Sequence, residues 1–330
     1  FQWSWPTVLG HPPGPVIGGL EMATWCIALR QNRRPSAAMA SILHPLRLVN
    51  ALWVLLLCST IAAAPAGGTS SYANDFERFV YTRTKADRKV QKVHHYFTIY
   101  EQHFAPLRAS GRKTRMLEIG VQSGGSLLMW KDYFGDQLEL HGIDINNPRC
   151  AKFNDPARQI TVHIGATSDA QFMSDLARQL APLDIVLDDG SHHSPDILAA
   201  FKFFYPAMRV EPAPGGVFIA EDLLTNCMAS GEFLEGPGVA GTFMERTKQL
   251  IDQLNAHNAW NLTQHATNPR KSLPCKRRPC PPPAKRLLVS DEFTTTTIGI
   301  HVYDSMVVLQ RGPHPPATDM VTGGVRAKHD

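Results

Sequence analysis

From residue 114 onward, short apolar runs alternate with longer segments whose apolar positions recur every third or fourth residue. The short runs are Thr114–Val121, Leu138–Ile145, Gln159–Ile164, Ile185–Leu187 and Gly216–Ala220, and each predicts a buried strand. Between and after them, Ser126–Phe134, Ala170–Leu180, Pro195–Tyr205 and Thr242–Asn258 carry helical spacing. Upstream, residues 76–107 read as helical, with Phe79, Val80, Val90, Val93, Tyr96, Phe97, Tyr100 and Phe104 on the repeat. Two last runs, Thr295–Tyr303 and Met306–Gln310, flank a tight Asp304-Ser305 turn. Alternating strands and helices imply a parallel sheet covered on both faces. A two-residue turn cannot join parallel strands, which need a long crossover. The pattern therefore predicts an α/β fold: a doubly wound, mostly parallel seven-stranded sheet with an antiparallel last strand.

The remaining segments set the domain organisation. Residues 1–38 hold Pro and Gly clusters without periodicity and read as a non-globular leader or as sequence outside the true protein. Met39 makes a better start. From it run a short region with one Arg, an apolar stretch of about 14 residues and Ala64-Pro65-Ala66, as a secretory signal peptide requires. Residues 39–66 are thus expected to be a signal peptide or signal anchor, giving a place in the secretory pathway; an organelle-targeted or cytosolic chain is the alternative. A membrane partner is expected only if that segment is retained. Residues 67–107 form a linker and a helical segment, 108–312 the globular domain, 267–286 a basic Pro-rich insertion, and 313–330 a tail.

Charge narrows the partners. The net charge is +4, yet beyond residue 66 Lys and Arg number 29 against 28 Asp and Glu. A near-neutral body without a basic stripe argues against nucleic acid. Of six cysteines, Cys275 and Cys280 bracket Lys-Arg-Arg-Pro; they suit a local disulfide, or a zinc pair that lacks its second half. Asn261-Leu-Thr263 is a glycosylation sequon that counts only in the secretory path.

Two features carry chemistry. Met116–Ser126 is a strand running into a glycine turn spaced Gly120-x-x-x-Gly124-Gly125, without the Gly-x-Gly-x-x-Gly of a dinucleotide site. Asp144 ends the next strand, 24 residues after Gly120, where a carboxylate can hold both ribose hydroxyls of an adenosine. Further on, DIVLDDGSHHSPD (184–196) stops a buried strand on Asp188-Asp189, and the following strand stops on Glu221-Asp222. Were those strands neighbours, their carboxyl ends would lie about 5 Å apart. So many carboxylates share one rim only if some protonate or a cation sits among them. All-oxygen donors suit a hard divalent ion such as Mg²⁺. His192 follows Asp189 by three residues, and an imidazole beside a metal-activated hydroxyl is a natural general base.

LEIGVQSGGSLLMW, HGIDI, DIVLDDGSHHSPD, GGVFIAEDL and HVYDSMVVLQ together resemble a class I S-adenosylmethionine-dependent methyltransferase. Within that Rossmann-like class the chain is similar, over about residues 92–311, to the macrocin and mycinamicin type of metal-dependent sugar O-methyltransferases. The resemblance implies S-adenosyl-L-methionine and Mg²⁺ or Mn²⁺ as cofactors. It implies Gly120, Gly124 and Asp144 at the cofactor, with Glu118 supporting the loop. It puts adenine contacts at Gly165–Asp169, including Ser168, although Ala166 stands where an acid is usual. Asp189, Glu221 and Asp222 are the implied metal ligands and His192 the implied base, with Asp188 facing the cofactor or supporting the ligands. His193 departs from the pattern. The expected acceptor is a small molecule or glycan with vicinal hydroxyls, and a homo-oligomer is compatible with the class. The alternatives are a phenol or catechol O-methyltransferase and an inactive methyltransferase-fold binding module; a metal-dependent hydrolase is disfavoured by the glycine loop and Asp144.

Overall fold

The computed structural model describes residues 72–145, 147–230, 233–258 and 288–317. The leader, the expected signal, the cysteines other than Cys150 and Cys227, the Asn261 sequon and the 267–286 insertion lie outside the described residues. Seven strands form one sheet in the order β3-β2-β1-β4-β5-β9-β8. These are β1 (Thr114–Ile119), β2 (Leu138–Asp144), β3 (Ile160–Ile164), β4 (Ile185–Asp188), β5 (Val217–Ala220), β8 (Thr297–Tyr303) and β9 (Met306–Arg311). A separate two-stranded ribbon joins β6 (Ala229–Ser230) and β7 (Phe233–Leu234). Strands β1 to β5 pair in parallel, and β9 is antiparallel to both β5 and β8.

The sheet separates two apolar cores. On one face lie α1 (Asp75–Tyr81), α2 (Tyr96–Ala109) and α3 (Gly125–Phe134). On the other lie α5 (Ala170–Leu180), α6 (Ser194–Phe204) and α7 (Phe243–Leu254), with α8 (Glu292–Thr296) before β8, while the single turn α4 (Asn147–Cys150) after β2 joins the first core through Cys150. Strands β1, β4 and β5 are covered on both faces, which is why their residues read as continuous apolar runs.

The helical reading of 76–107 splits in two. No large apolar residue stands between Tyr81 and Val90, so that stretch has no face to bury. It turns instead through Thr84, whose amide donates to Asp87 Oδ2 at 2.7 Å. Likewise the expected start of β8 at Thr295 belongs to α8, because Asp291 caps that turn and accepts from the Thr294 amide at 2.9 Å. The ribbon β6–β7 had no periodic signal, being two residues per strand.

The N-terminal helices are part of the core. Phe76 on α1 is fully buried, stacks on Tyr133 at 4.2 Å between ring centres, and meets Tyr100, Phe104 and Trp130 edge-on. Phe76→Ala should therefore cost about 3–5 kcal/mol of global stability. Urea unfolding followed by far-UV circular dichroism and tryptophan fluorescence checks this. The two probes should shift together, since α1 and the sheet share one core.

Candidate active site

The carboxyl ends of β1, β2, β4 and β5 open on one cleft of about 500 Å³. The turn after β1 forms its floor. Gly120 has φ +96, and a Cβ there would collide with the Asp189 carbonyl oxygen, so only glycine lets this turn pass the one after β4. Gly124 starts α3 in the left-handed conformation. Asp144 Oδ2 accepts from the amides of Val121 and Gln122 at 3.1 and 3.0 Å, bracing the loop from the neighbouring strand. Glu118 lies buried beneath the loop. Its carboxylate accepts from Ser126 Oγ at 3.0 Å and from Trp130 Nε1 at 3.1 Å, and burial pushes its pKa up to about 7. Ser168 lines the cleft beyond β3, just before Asp169 caps α5.

The acids meet where β4 and β5 end. The two strands are parallel neighbours, with Asp188 opposite Ala220, and the Glu221 amide donates to the Asp188 carbonyl at 2.9 Å. Asp189, His192 and Asp222 each present a ligand atom within 4.8 Å of the others. His192 Nε2 lies 3.8 Å from Asp222 Oδ2. Glu221, 1% exposed, sits behind them. Its Oε1 accepts from the Tyr100 hydroxyl, and its Oε2 lies 2.7 Å from Lys92 Nζ, which is also 2.7 Å from Asp189 Oδ2. Tyr96 donates its hydroxyl to Asp222 Oδ1 at 2.9 Å and accepts from the Asp222 amide at 3.2 Å.

Two left-handed residues hold this geometry: His192 at φ 61 and Asp222 at φ 52. A non-glycine residue there is strained and persists only when its surroundings fix it. The fixing bonds are visible. Thr225 Oγ1 donates to the His192 carbonyl at 2.8 Å. The Leu223 amide donates to the Ser305 carbonyl at 3.0 Å and the Leu224 amide to Ser305 Oγ at 2.9 Å, so the β8–β9 turn clamps the chain leaving β5.

Of the residues singled out from the sequence, Gly120, Asp144, Ser168, Asp189, His192 and Asp222 line the cleft. Glu118, Gly124, Asp188 and Glu221 stand behind its wall. Sequence reasoning missed Lys92, Tyr96 and Tyr100. The fourfold spacing Lys92–Tyr96–Tyr100 was the available signal, since polar tips recurring on one apolar stripe need buried partners, although only Tyr96 and Tyr100 lie on α2.

A mostly parallel sheet of this order, with a glycine turn after β1, an acid closing β2 and further acids closing β4 and β5, defines a class I methyltransferase. The relatives narrow the class. An 8-demethyl-8-(2-methoxy-α-L-rhamnosyl)-tetracenomycin-C 3′-O-methyltransferase of Streptomyces olivaceus is 31% identical over 323 residues, spanning 94% of this chain and 69% of that one. The mycinamicin VI 2″-O-methyltransferase of Micromonospora griseorubida is 31% identical over 227 residues, 66% of this chain and 48% of that one. The chain belongs to this family of S-adenosylmethionine-dependent sugar O-methyltransferases, the macrocin and mycinamicin type. It spans about half the length or less of other relatives, down to 34% for a tetracenomycin 2′-O-methyltransferase. No protein-family model matches the chain. Among solved structures, the MycE methyltransferase of mycinamycin biosynthesis, in complex with Mg and SAH, shares the fold at a TM-score of 0.54 and 23% identity, covering 86% of this chain and 67% of that one.

These relatives correct the expected place in the secretory pathway. They come from bacteria, which have no endoplasmic reticulum or Golgi, and are named for antibiotic sugars rather than secretory glycans. The expectation rested on an apolar leader that lies outside the described residues, and such a run is too generic to carry an address by itself. Among the described residues no helix is long and apolar enough to cross a membrane.

Asp188 yields a stability test. Burial pushes its carboxyl up to about 7 from an ordinary value of 3.8, partly offset by the Gly190 amide, and its Oδ2 has no partner. Between those two pH values the folded chain keeps a proton that the unfolded chain has lost. Stability contributed by this group therefore falls as pH rises through the window, by at most about 1.4 kcal/mol per pH unit. Asp188→Asn should flatten that fall in metal-free buffer. Chemical denaturation at pH 4.5, 5.5, 6.5 and 7.5 reads the slope directly; an unchanged slope contradicts the assignment.

Proposed function

We propose that this chain transfers the methyl group of S-adenosylmethionine to a hydroxyl of a sugar-bearing acceptor, assisted by Mg²⁺ or Mn²⁺. The observation that carries this reading is the shared cleft: the glycine loop and Asp144 open on the same space as Asp189, His192 and Asp222. Relatives of the family act on rhamnosyl and macrolide sugars by name, and MycE was solved with Mg and SAH.

The residues fit both groups. A cleft of about 500 Å³ bordered by the Gly120 turn and Asp144 has room for an adenosyl ligand. On this reading Asp144 holds the ribose, Ser168 borders the adenine, and Glu118 keeps the loop in place from below. For a hard divalent cation, two carboxylates and an imidazole converge within 4.8 Å. Asp189 and Asp222 are direct ligands. Glu221 is the third by the family resemblance; its carboxylate is held by Tyr100 and Lys92, beside Asp189. A second reading makes His192 the third ligand, since its ring nitrogen belongs to the converging set.

A bound divalent cation supplies acidification of a hydroxyl and a common seat for two neighbouring oxygens, hence an acceptor with vicinal hydroxyls. The chain's own residues do the rest. His192 accepts the hydroxyl proton at Nε2, which lies 3.8 Å from Asp222 Oδ2. Tyr96 holds Asp222 in place, and the Gly120 turn fixes the distance between cofactor loop and acids.

Titration of the protein with S-adenosylhomocysteine tests the cofactor. Asp144→Ala should weaken binding by at least about 1.5 kcal/mol. Tight NAD binding without adenosyl binding would sink the assignment.

Metal and base separate by a second experiment. Chelation should abolish methyl transfer to a rhamnosyl acceptor and leave S-adenosylhomocysteine binding largely intact. His192→Ala should keep Mn²⁺ binding and lower the rate by about 10²–10⁴. Loss of Mn²⁺ binding in His192→Ala, with Glu221→Gln unaffected, makes the imidazole the ligand instead. Full activity in EDTA contradicts a metal-assisted reaction.

A further inference from the structure

Lys92 stands at the junction of the acids and the cleft. It leaves the non-helical stretch between α1 and α2, lines the cleft, and has a side chain only 2% exposed. Its Nζ is 2.7 Å from Asp189 Oδ2 and 2.7 Å from Glu221 Oε2, and lies 5.8 Å from the centre of the Trp130 ring. Asp189 also belongs to the converging set with His192 and Asp222. One carboxylate is thus shared between a fixed ammonium and a candidate metal position.

We propose that Lys92 is a positioning residue that sets the divalent-cation affinity of the site. Its ammonium keeps Asp189 and Glu221 converged while no divalent ion is bound, and it competes with the ion for Asp189 when one arrives. This inference rests on the reading of the acids as a metal site. The physical reason is Coulombic. A buried carboxylate without a counter-charge is costly, so the lysine stabilises the metal-free fold. Two cations on one carboxylate repel strongly at short range in a poorly screened site, so the same lysine weakens metal binding.

Removing the ammonium should move stability and affinity in opposite directions. Lys92→Met, which keeps the apolar stem, should melt below wild type in EDTA and regain most of that loss in Mn²⁺. Calorimetric titration should give it Mn²⁺ affinity at least ~10-fold tighter than wild type. Lys92→Arg, which retains the charge, should restore metal-free stability and the weaker affinity. A lysine that only props the fold would lower the melting temperature equally with and without Mn²⁺ and leave affinity unchanged, and that result overturns the proposal. Should Lys92→Met fail to fold, the neutral, hydrogen-bonding Lys92→Gln is titrated in its place. Tighter Mn²⁺ binding than wild type supports the proposal, and equal or weaker binding overturns it. Wild-type protein that binds Mn²⁺ as tightly as Lys92→Met refutes this inference and leaves the metal site standing. Absence of Mn²⁺ binding in both refutes the metal site and the inference together.

Discussion

Like charges gathered at one rim of a sheet are the constraint around which the rest of this structure is arranged. Parallel pairing of β4 with β5 brings Asp188, Asp189, Glu221 and Asp222 to the same end, with the two acidic pairs offset by one residue because Asp188 pairs with Ala220. Two of these, Asp188 and Glu221, are almost wholly buried, and Glu118 lies buried one strand away. Burial raises the cost of every negative charge there. The fold answers with donors from one N-terminal stripe. Lys92 bridges Asp189 and Glu221, Tyr96 bonds Asp222, and Tyr100 bonds Glu221. The carboxylates raise the Lys92 pKa overall even though burial alone would lower it, so the lysine is a fixed positive charge. The segment from α1 to α2 therefore covers the aromatic core and, through Lys92 between the helices, also neutralises the site.

The same geometry couples the two halves of the cleft. The glycine turn after β1 passes so close to the Asp189 carbonyl that no side chain fits between them. Any shift of that turn is then felt at the first of the clustered acids. Strain is concentrated at His192 and Asp222, two non-glycine residues in left-handed conformation whose side chains converge in the cleft. Both are fixed by bonds from Thr225, Tyr96 and the β8–β9 turn. A closely packed, over-determined setting of this kind is what methyl transfer between two bound partners requires, since its rate depends on alignment.

Much of this was legible in the sequence. The seven strands, their order of direction and the acids that end them followed from apolar runs and from one two-residue turn. Asp144, Asp189, His192 and Asp222 were legible because each sits where a strand meets its loop, a place with a general meaning in open α/β sheets. Lys92, Tyr96 and Tyr100 were not. The two tyrosines counted only as apolar positions of a helical repeat, and the partners of all three lie about 100 residues or more further along the chain. The fourfold spacing marks a stripe but names no partner at that range. The break between α1 and α2 was hidden for a related reason: sparse apolar residues on both sides of a polar stretch kept an approximate helical repeat through it. The leader misled in the opposite direction, because a strong local pattern pointed to the secretory pathway and the bacterial relatives do not support it.

The most direct test of the account is an anomalous-scattering crystal structure of the full chain grown with Mn²⁺ and S-adenosylhomocysteine. The account predicts one strong manganese peak bounded by Asp189 and Asp222 on the cleft side of Lys92, with the ligand's ribose on Asp144 and its sulfur turned toward the metal. A manganese peak elsewhere, or an adenosyl ligand bound away from the Gly120–Gly125 turn, would contradict it.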